Sequence, residues 1–526
     1  MLHAHQTPHT LRDYLTPLKR EGILKSAPHD PGALDLPIAY ATDDSREARP
    51  GTLFVCKGAA FKRDYLLSAL EAGAVAYVSE QDYGVDAPAI TVSDIRRALG
   101  LIADLAWDHP SGKIAVCALT GTKGKTTTAY YLRGILNTEA RIARATMDKT
   151  TEAARVNKGD AGRAGLLSSI HFDDGCEQGV SKLTTPEAFE LERRLANAAA
   201  SGMQHLVMEA SSQALKYDRT LGVRFAVGAF LNIGEDHISP IEHPSFEDYF
   251  ASKLKIFTQS DTAVVNLDMD HADRVLAAAH AATGCKRVLT FSMKDPTADI
   301  FCEQVSHTDG GVEATVRTPR FTRAIAIPTP VRYNVENALA AIACAEGLGI
   351  GEEAIVTGFA DVVVPGRMEL YPTRSGKIIG IVDFAHNGMS LETMLRDLRE
   401  SYPNRELCVV FGATGGKGLD RRETMGTAAG KYADRIVITE DDPGPEDPKD
   451  ICETIAAFVE AEDNHAWQIV LDRPEAIRTA VRETTQPAVV IVTGKGHETR
   501  MIRKQGAEPC EADGPMLRRA LEEYGF

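Results

Sequence analysis

Ten consecutive residues carry the groups that hold phosphate: Leu119-Thr120-Gly121-Thr122-Lys123-Gly124-Lys125-Thr126-Thr127-Thr128. Gly121 and Gly124 let backbone amides approach phosphate oxygens, Lys125 supplies a point charge, and the Thr126 hydroxyl is a magnesium ligand by type. The apolar run Ile114 to Leu119 reads as a strand and Thr126 to Leu136 as a helix, so the loop opens on a helix N-terminus with its partial positive charge. The string departs from G-x-x-x-x-G-K-[ST], because Leu119 stands five places before Gly124 and the first glycine is only three upstream. Its setting between strand and helix, more than the string itself, argues for a phosphate loop.

Two further apolar runs end in polar groups. Met208-Glu209-Ala210-Ser211-Ser212-Gln213 and Phe230-Leu231-Asn232-Ile233-Gly234-Glu235-Asp236-His237 each read as a strand that delivers acids and hydroxyls to its end. In open α/β sheets such ends face the ligand crevice. Glu209 and His237 are therefore a candidate pair for a second divalent ion, although His237 taken alone is also an ordinary loop histidine.

These residues need a scaffold. Short runs rich in β-branched residues, Leu206 to Met208, Val227 to Leu231, Ile378 to Val382, Leu407 to Phe411, Ile436 to Thr439 and Val489 to Val492, alternate with helical spacings such as Ser390 to Leu398. That pattern predicts an α/β chain with mainly parallel sheets buried on both faces. Breaks fall near Asp108-His109-Pro110-Ser111-Gly112 and near Val364-Pro365-Gly366. The charged, weakly periodic stretch from Arg141 to Ala164 reads as a surface excursion.

At 526 residues the chain exceeds what one core organises, so three domains are expected. With 44% hydrophobic and 25% charged residues it should fold throughout. A net charge of -16 argues against nucleic acid or anionic lipid as partners, since those demand a basic surface. The nine cysteines show no C-x-x-C pair, against a zinc site or a disulfide framework. The N-terminus lacks a signal-like segment and no run approaches the roughly 18 apolar residues of a membrane span, so a cytoplasmic location is expected.

The blocks together resemble the Mur ligase family. The resemblance spans nearly the whole chain and rests on Asp44-Ser45-Arg46 with Pro50-Gly51-Thr52-Leu53-Phe54, the loop Gly121 to Thr126, Leu183-Thr184-Thr185-Pro186-Glu187 and Met208 to Ser212. It continues through Glu235-Asp236-His237, Tyr333-Asn334-Val335-Glu336-Asn337, Val364-Pro365-Gly366-Arg367-Met368-Glu369, Asp383-Phe384-Ala385-His386-Asn387 and Gly494-Lys495-Gly496-His497-Glu498. It implies a three-domain architecture: an N-terminal UDP-substrate-binding domain over 1–112, a central phosphate-loop ATPase domain over 113–363 and a Rossmann-like amino-acid-binding domain over 364–526. The N-terminal block and Gly494 to Glu498 resemble the member that extends UDP-N-acetylmuramoyl-L-alanyl-D-glutamate by one residue.

Roles carried by the resemblance follow residue by residue. Ser45 and Ala59-Ala60-Phe61 would lie near the uridine end, and Thr184, Thr185, Ser211 and Arg219 would contact the muramoyl dipeptide. Gly121, Thr122, Lys123, Gly124, Lys125, Thr126 and Thr127 would hold ATP with Asn334 and Asn337, Arg367 would serve the transferring phosphate, and Asp383 the ribose. Thr126, Glu209, His237 and Lys253 would hold two magnesium ions, with Lys253 carrying a carbamate that turns a cation into an anion. Helical spacing alone puts Lys253 on a surface face, and asparagines such as Asn334 and Asn337 also suit a helix N-cap.

The reaction implied is attack of a carboxylate on the γ-phosphate and then of an amine on the acyl-phosphate, with Lys125, Lys253, His237 and Arg367 as the catalytic set. Because an acyl-phosphate hydrolyses readily, closure of the C-terminal domain over the central one is expected. Amino-acid choice falls to Lys417, Asp441, Asp442, Pro443, Gly444, Gly494 and Glu498. Diaminopimelate-adding relatives show Asp-Asn-Pro-Arg where this chain has Asp441-Asp442-Pro443-Gly444, and two acids without the arginine suit a distal ammonium. The order of expectation is L-lysine, L-ornithine, then meso-diaminopimelate, although Gly494 and Glu498 match the diaminopimelate form. As a bare sequence Asp441 to Gly444 is a β-turn. A monomer is expected; rival readings are a related ligase acting on another carboxylate acceptor and a nucleotide-binding relative that has lost ligation.

Overall fold

The structure is a computed structural model, and it describes residues 3–58, 61–148, 162–235, 238–239, 242–308, 311–416 and 418–525. The chain forms two compact units, one built from Met1–Glu303, Val316–Arg323 and Glu336–Phe359, the other from Gln304–Thr315, Ala324–Val335 and Ala360–Phe526.

The first unit begins with a five-stranded sheet: β1 (Leu24–Ser26), β2 (Tyr40–Thr42), β3 (Thr52–Val55), β4 (Ala74–Ser79) and β5 (Ala89–Val92), in the order β1-β5-β4-β3-β2. Only β1 runs antiparallel to its neighbour. Its apolar face is covered by α1 (Ile95–Ala106), whose N-terminus is capped by Asp94 and whose Ala98, Leu99, Ile102 and Ala103 are buried.

A second, larger sheet follows. β6 (Ala115–Thr120) runs into the glycine loop and α2 (Lys125–Asp148), then come β7 (Gly165–Leu167), β8 (His171–Asp173) and β9 (Gln178–Val180), α3 (Ala188–Ala200), β10 (His205–Glu209), β11 (Phe225–Phe230), α4 (Phe246–Leu254), β12 (Ser260–Asn266) and β13 (Arg287–Ser292). The order is β9-β8-β7-β10-β6-β11-β12-β13, followed beyond β13 by the strands Ile300–Thr308, Gly311–Arg317 and Thr322–Ile327, with every pair from β7 to β13 parallel. β6 is thus central, and its residues Val116 to Leu119 are fully or almost fully buried, as a strand covered on both faces requires. The register sets Glu209 opposite Leu119 and Phe230 opposite Thr120, so three neighbouring strands end level with one another.

α2 is longer than the Thr126 to Leu136 spacing indicates. It continues past Leu136 to Asp148, so the first third of the supposed Arg141 to Ala164 excursion is helix. Arg141, Ala143, Arg144 and Ala145 are strong helix formers and no glycine or proline interrupts them. Residues 149–161 lie outside the described residues.

Strands over Ile300–Thr308, Gly311–Arg317 and Thr322–Ile327 and the helix α5 (Tyr333–Leu348) contribute residues to both units. The second unit then has a six-stranded sheet of β14 (Glu369–Pro372), β15 (Ile378–Asp383), β16 (Glu406–Phe411), β17 (Arg435–Ile438), β18 (Trp467–Ile469) and β19 (Ala488–Thr493) in the order β14-β15-β19-β16-β17-β18. All neighbours are parallel except β14 with β15. Two apolar clusters, one containing Leu391, Leu395 and Ile455 and the other Ile477, Val481 and Leu517, sandwich this sheet.

No disulfide joins any of the nine cysteines, six of which are buried. Among the described residues no helix is long and apolar enough to cross a membrane.

Candidate active site

The glycine loop sits where β6 ends, between the ends of β10 and β11. Gly124 has φ of +83° and a Cβ there would run into the Asn337 amide, so only glycine fits. Lys125 begins α2, and its Nζ turns back to donate to the carbonyls of Gly121 at 2.7 Å and Thr122 at 3.2 Å. Lys253 reaches the same point: its Nζ donates to the Gly121 carbonyl at 2.8 Å. Two ammonium groups therefore share one backbone oxygen, an arrangement that an incoming polyanion would stabilise.

The place of Lys253 corrects the helical-spacing expectation. The residue is 2% exposed rather than on a surface. α4 is capped by Ser245 and presents Tyr249 and Lys253, one turn apart, on a single face toward the loop. The Tyr249 hydroxyl lies 3.0 Å from Thr122 Oγ1, and the Lys253 ammonium lies 4.6 Å from the centre of the Tyr249 ring.

Asn232 was not singled out by the sequence, although it lies in the run after β11. It clamps the loop from outside: its carbonyl accepts from Thr122 N at 3.1 Å, its Oδ1 from Lys123 N at 2.9 Å, and its Nδ2 donates to the Lys123 carbonyl at 3.0 Å. An asparagine directly after a strand that neighbours a phosphate loop is the signal that could have found it.

On the other flank, Glu209 is 1% exposed and accepts from Thr126 Oγ1 and from Ser169 N, both at 2.8 Å. Ser169 Oγ also lies 3.1 Å from Thr126 Oγ1. A buried carboxylate with hydroxyls around it is an oxygen-rich set that suits magnesium and offsets the cost of burying the charge. Among the described residues no three His, Cys, Asp or Glu side chains cluster as metal ligands. His237 falls outside the described residues, as do Ala59, Ala60 and Lys417.

Thr185 connects this end to the next segment. It is 1% exposed, donates to the Glu209 carbonyl at 2.8 Å and accepts from Ser211 N at 3.0 Å, with Ser211 Oγ at 3.3 Å. Ser211 caps the short helix Ser212–Lys216. Arg219 donates to the Thr185 carbonyl at 3.3 Å, and Thr184 adjoins it, half-buried. Ser45 starts a short 3-10 turn, and Phe61 packs among Phe54, Tyr65 and Tyr83.

Asn334 and Asn337 are not helix caps, because α5 begins at Tyr333 and both lie inside it. In the first unit Asn337 Oδ1 accepts from Thr128 Oγ1 at 3.4 Å. In the second unit Asn334 Nδ2 donates to Thr329 Oγ1 at 2.9 Å.

The rest of the candidate set belongs to the second unit. Asp383, at the end of β15, is 8% exposed and its two oxygens accept from Met368 N at 2.9 Å and Ala385 N at 2.8 Å. Burial raises its carboxyl above the usual range, and Arg367 opposes that rise. The Arg367 guanidinium rests on the Phe384 ring at 4.5 Å, so Asp383 fixes the turn that aims it.

The neighbouring strand end is dominated by paired charges. Lys495 Nζ bridges Asp442 Oδ1 at 2.8 Å and Glu498 Oε2 at 2.7 Å, and Asp442 Oδ1 also accepts from Ile502 N at 2.8 Å. Asp441 is 5% exposed and burial pushes its carboxyl up to about 7, against the pull of Arg473 and Lys495. Gly494 has φ of +109°, and a Cβ there would run into the Asp441 carboxylate. Asp442 and Gly444 also have positive φ, so the segment through Pro443 is a tight turn.

A cavity of about 440 Å³ lined by Ser111, Ala115, Gln204, Arg224 and Asp261 opens at the N-terminal ends of the first unit's strands. Ligands of open parallel sheets bind at the carboxyl ends, and every candidate residue described for this sheet gathers there.

A strand, glycine loop and helix in an open parallel sheet define a phosphate-loop ATPase unit, and the second unit is a Rossmann-like sheet. The Mur ligase middle domain pattern matches residues 119–345 and the Mur ligase, glutamate ligase domain pattern matches residues 366–496. The chain is 38% identical to a UDP-N-acetylmuramoyl-L-alanyl-D-glutamate--L-lysine ligase of Streptococcus thermophilus, over 87% of this chain and 88% of that protein. It is 38% identical to a UDP-N-acetylmuramyl-tripeptide synthetase of Lactococcus lactis, over 91% and 92%. A solved UDP-N-acetylmuramoyl-L-alanyl-D-glutamate--2,6-diaminopimelate ligase shares the fold with a TM-score of 0.71 at 24% identity, over 99% of this chain and 100% of that one. The chain belongs to the Mur ligase family, and its architecture is that family's three-domain form.

Proposed function

We propose that the chain is an ATP-dependent ligase that adds L-lysine to UDP-N-acetylmuramoyl-L-alanyl-D-glutamate through an acyl-phosphate in peptidoglycan precursor synthesis. The observation that carries the reading is the meeting of Lys125 and Lys253 on the Gly121 carbonyl, level with Glu209 at the adjoining strand end. The names of the similar proteins, lysine ligase and tripeptide synthetase, support the acceptor and the amino acid.

In this reading Gly121 to Thr127 cradle the ATP phosphates, and Asn334, Asn337 and Asp383 serve the nucleoside. A carboxylate oxygen of the acceptor attacks the γ-phosphorus in line as the bond to ADP breaks, and Lys125 and Arg367 neutralise the charge that develops. The amine nitrogen of lysine then attacks the acyl carbon, loses a proton, and phosphate leaves with the electrons of its bond to that carbon. Thr126 and Glu209, with His237, would hold magnesium, which when bound supplies charge neutralisation at the phosphates. Carbamylation of Lys253 would remove a cation from beside Lys125 and create an anionic oxygen pair. Ser45, Ala59, Ala60 and Phe61 serve the uridine end, and Thr184, Thr185, Ser211 and Arg219 the muramoyl dipeptide.

Lysine is favoured by the charge count at the second unit's strand end. Asp442 and Glu498 are two carboxylates around the Lys495 ammonium, an excess of acid that suits a distal ammonium and disfavours a distal carboxylate. The reading includes domain boundaries near 112 and 363 and a cytoplasmic monomer without nucleic acid or membrane partners. A phosphate-release assay with ATP and the nucleotide dipeptide, run in parallel with L-lysine, L-ornithine and meso-diaminopimelate, tests it. Release with lysine foremost is expected; release that needs no nucleotide dipeptide, or that favours diaminopimelate, would overturn the reading.

A further inference from the structure

Beside Arg219 the first unit holds a charge bridge with no assigned role. Lys57, just beyond β3, donates its Nζ to Glu187 Oε2 at 2.5 Å and to Asp43 Oδ2 at 3.1 Å. The other Glu187 oxygen, Oε1, pairs with Arg219 Nη2 at 2.8 Å. One carboxylate thus sits between an ammonium and a guanidinium. A third cation, Arg96, lies over the Tyr217 ring at 3.9 Å. Lys57, Arg96 and Arg219, with Glu187, Leu99 and Tyr217, line a cavity of about 130 Å³, enough for one anionic group and far short of a whole nucleotide. Three cations lining one small cavity beside Glu187 stand out in a chain whose net charge is -16.

Among the described residues the Glu187 carboxylate has no partner besides Lys57 and Arg219. It occupies the N-cap position of α3 yet makes no side-chain cap bond, so its carboxylate can leave without uncapping the helix. Its side chain is 36% exposed, so releasing it to water carries no burial cost. After it leaves, Lys57 keeps Asp43 and Arg219 keeps the Thr185 carbonyl, so neither cation is stranded.

We propose that Lys57 is a further acceptor-binding residue, whose ammonium joins the Arg219 guanidinium in taking one anionic group of the muramoyl acceptor, while Glu187 stands in for that anion in the substrate-free protein. The inference rests on the reading that Arg219 faces the acceptor. The anion is a carboxylate of the peptide or a phosphate of the diphosphate, both carried by the same molecule.

Steady-state kinetics on the full chain test it. A charge-assisted contact of this kind predicts that Lys57→Met raises the acceptor KM by about tenfold, with the KM values for ATP and lysine unmoved and Lys57→Arg restoring most of the loss. Glu187→Gln is expected to lower the acceptor KM, since it removes the competing anion. An unchanged acceptor KM in Lys57→Met overturns the proposal, as does a raised one in Glu187→Gln, which would mark the bridge as a clamp between elements. If Lys57→Met fails to fold, Glu187→Gln alone decides by the sign of its effect. Arg219→Met separates the two layers: if it leaves the acceptor KM unmoved, the acceptor reading itself falls and this inference with it. Inhibition by UDP and by L-alanyl-D-glutamate, compared between wild type and Lys57→Met, assigns the group. Weakened inhibition by UDP names the phosphate and by the dipeptide the carboxylate, and weakening of neither overturns the proposal.

Discussion

The glycine loop of the first unit and the acidic strand end of the second treat charge in opposite ways. At the loop, the recognition groups are backbone amides and a helix terminus, and the side chains of Lys125 and Lys253 converge on one carbonyl. At the strand end, recognition falls to side chains that are already engaged with one another, Asp442 and Glu498 through Lys495, and Asp441 through burial. The first arrangement makes one kind of site, for phosphate. The second is tunable, because changing one residue alters the net charge offered to the amino acid.

The comparison breaks most visibly at the loop. Removing a preorganised donor to a developing charge predicts that Lys125→Ala lowers kcat by about 10³-fold, measured by phosphate release at saturating ATP. If kcat stays within tenfold of wild type, the loop is not the phosphoryl-transfer site. On the flank, Glu209→Gln keeps the shape but removes the anion that a divalent cation needs, and the expected loss is about 10²-fold with a raised magnesium requirement in a titration.

The strand end is sharpened by pH. A carboxyl raised from 3.8 to about 7 by burial favours the folded chain when protonated, so Asp441 weakens the fold as pH rises across that window. Asp441→Asn should match wild type in thermal melting near pH 4 and exceed it above pH 7, by a margin on the order of 4 kcal/mol. Equal melting at both ends would show that the carboxyl is not held in its acid form. The smallest effect is expected at the loop's outer clamp, where Asn232→Ala removes two side-chain hydrogen bonds and should raise the ATP KM by about fivefold with little change in kcat.

Legibility in the sequence followed the same divide. The loop was readable because its chemistry is local: Gly121, Gly124, Lys125 and Thr126 lie within six residues, and the flanking apolar runs became β6 and α2. Glu209 was readable because it ends a strand. Lys253 was not readable from spacing, since nothing local tells which face of α4 is buried; the loop 132 residues away decides that. Asn232 was passed over for a similar reason, as its bonds go to a segment 109 residues distant. α2 outruns its apolar spacing because arginine and alanine favour helix even where the periodicity fades.

By itself the sequence determined the α/β alternation, the phosphate loop and the family, because each depends on the types and order of neighbouring residues. Only the tertiary structure decided which groups meet: the two lysines on Gly121, Glu187 between Lys57 and Arg219, and Lys495 between Asp442 and Glu498. Those meetings depend on strand register and on burial, and register is a property of the sheet as a whole.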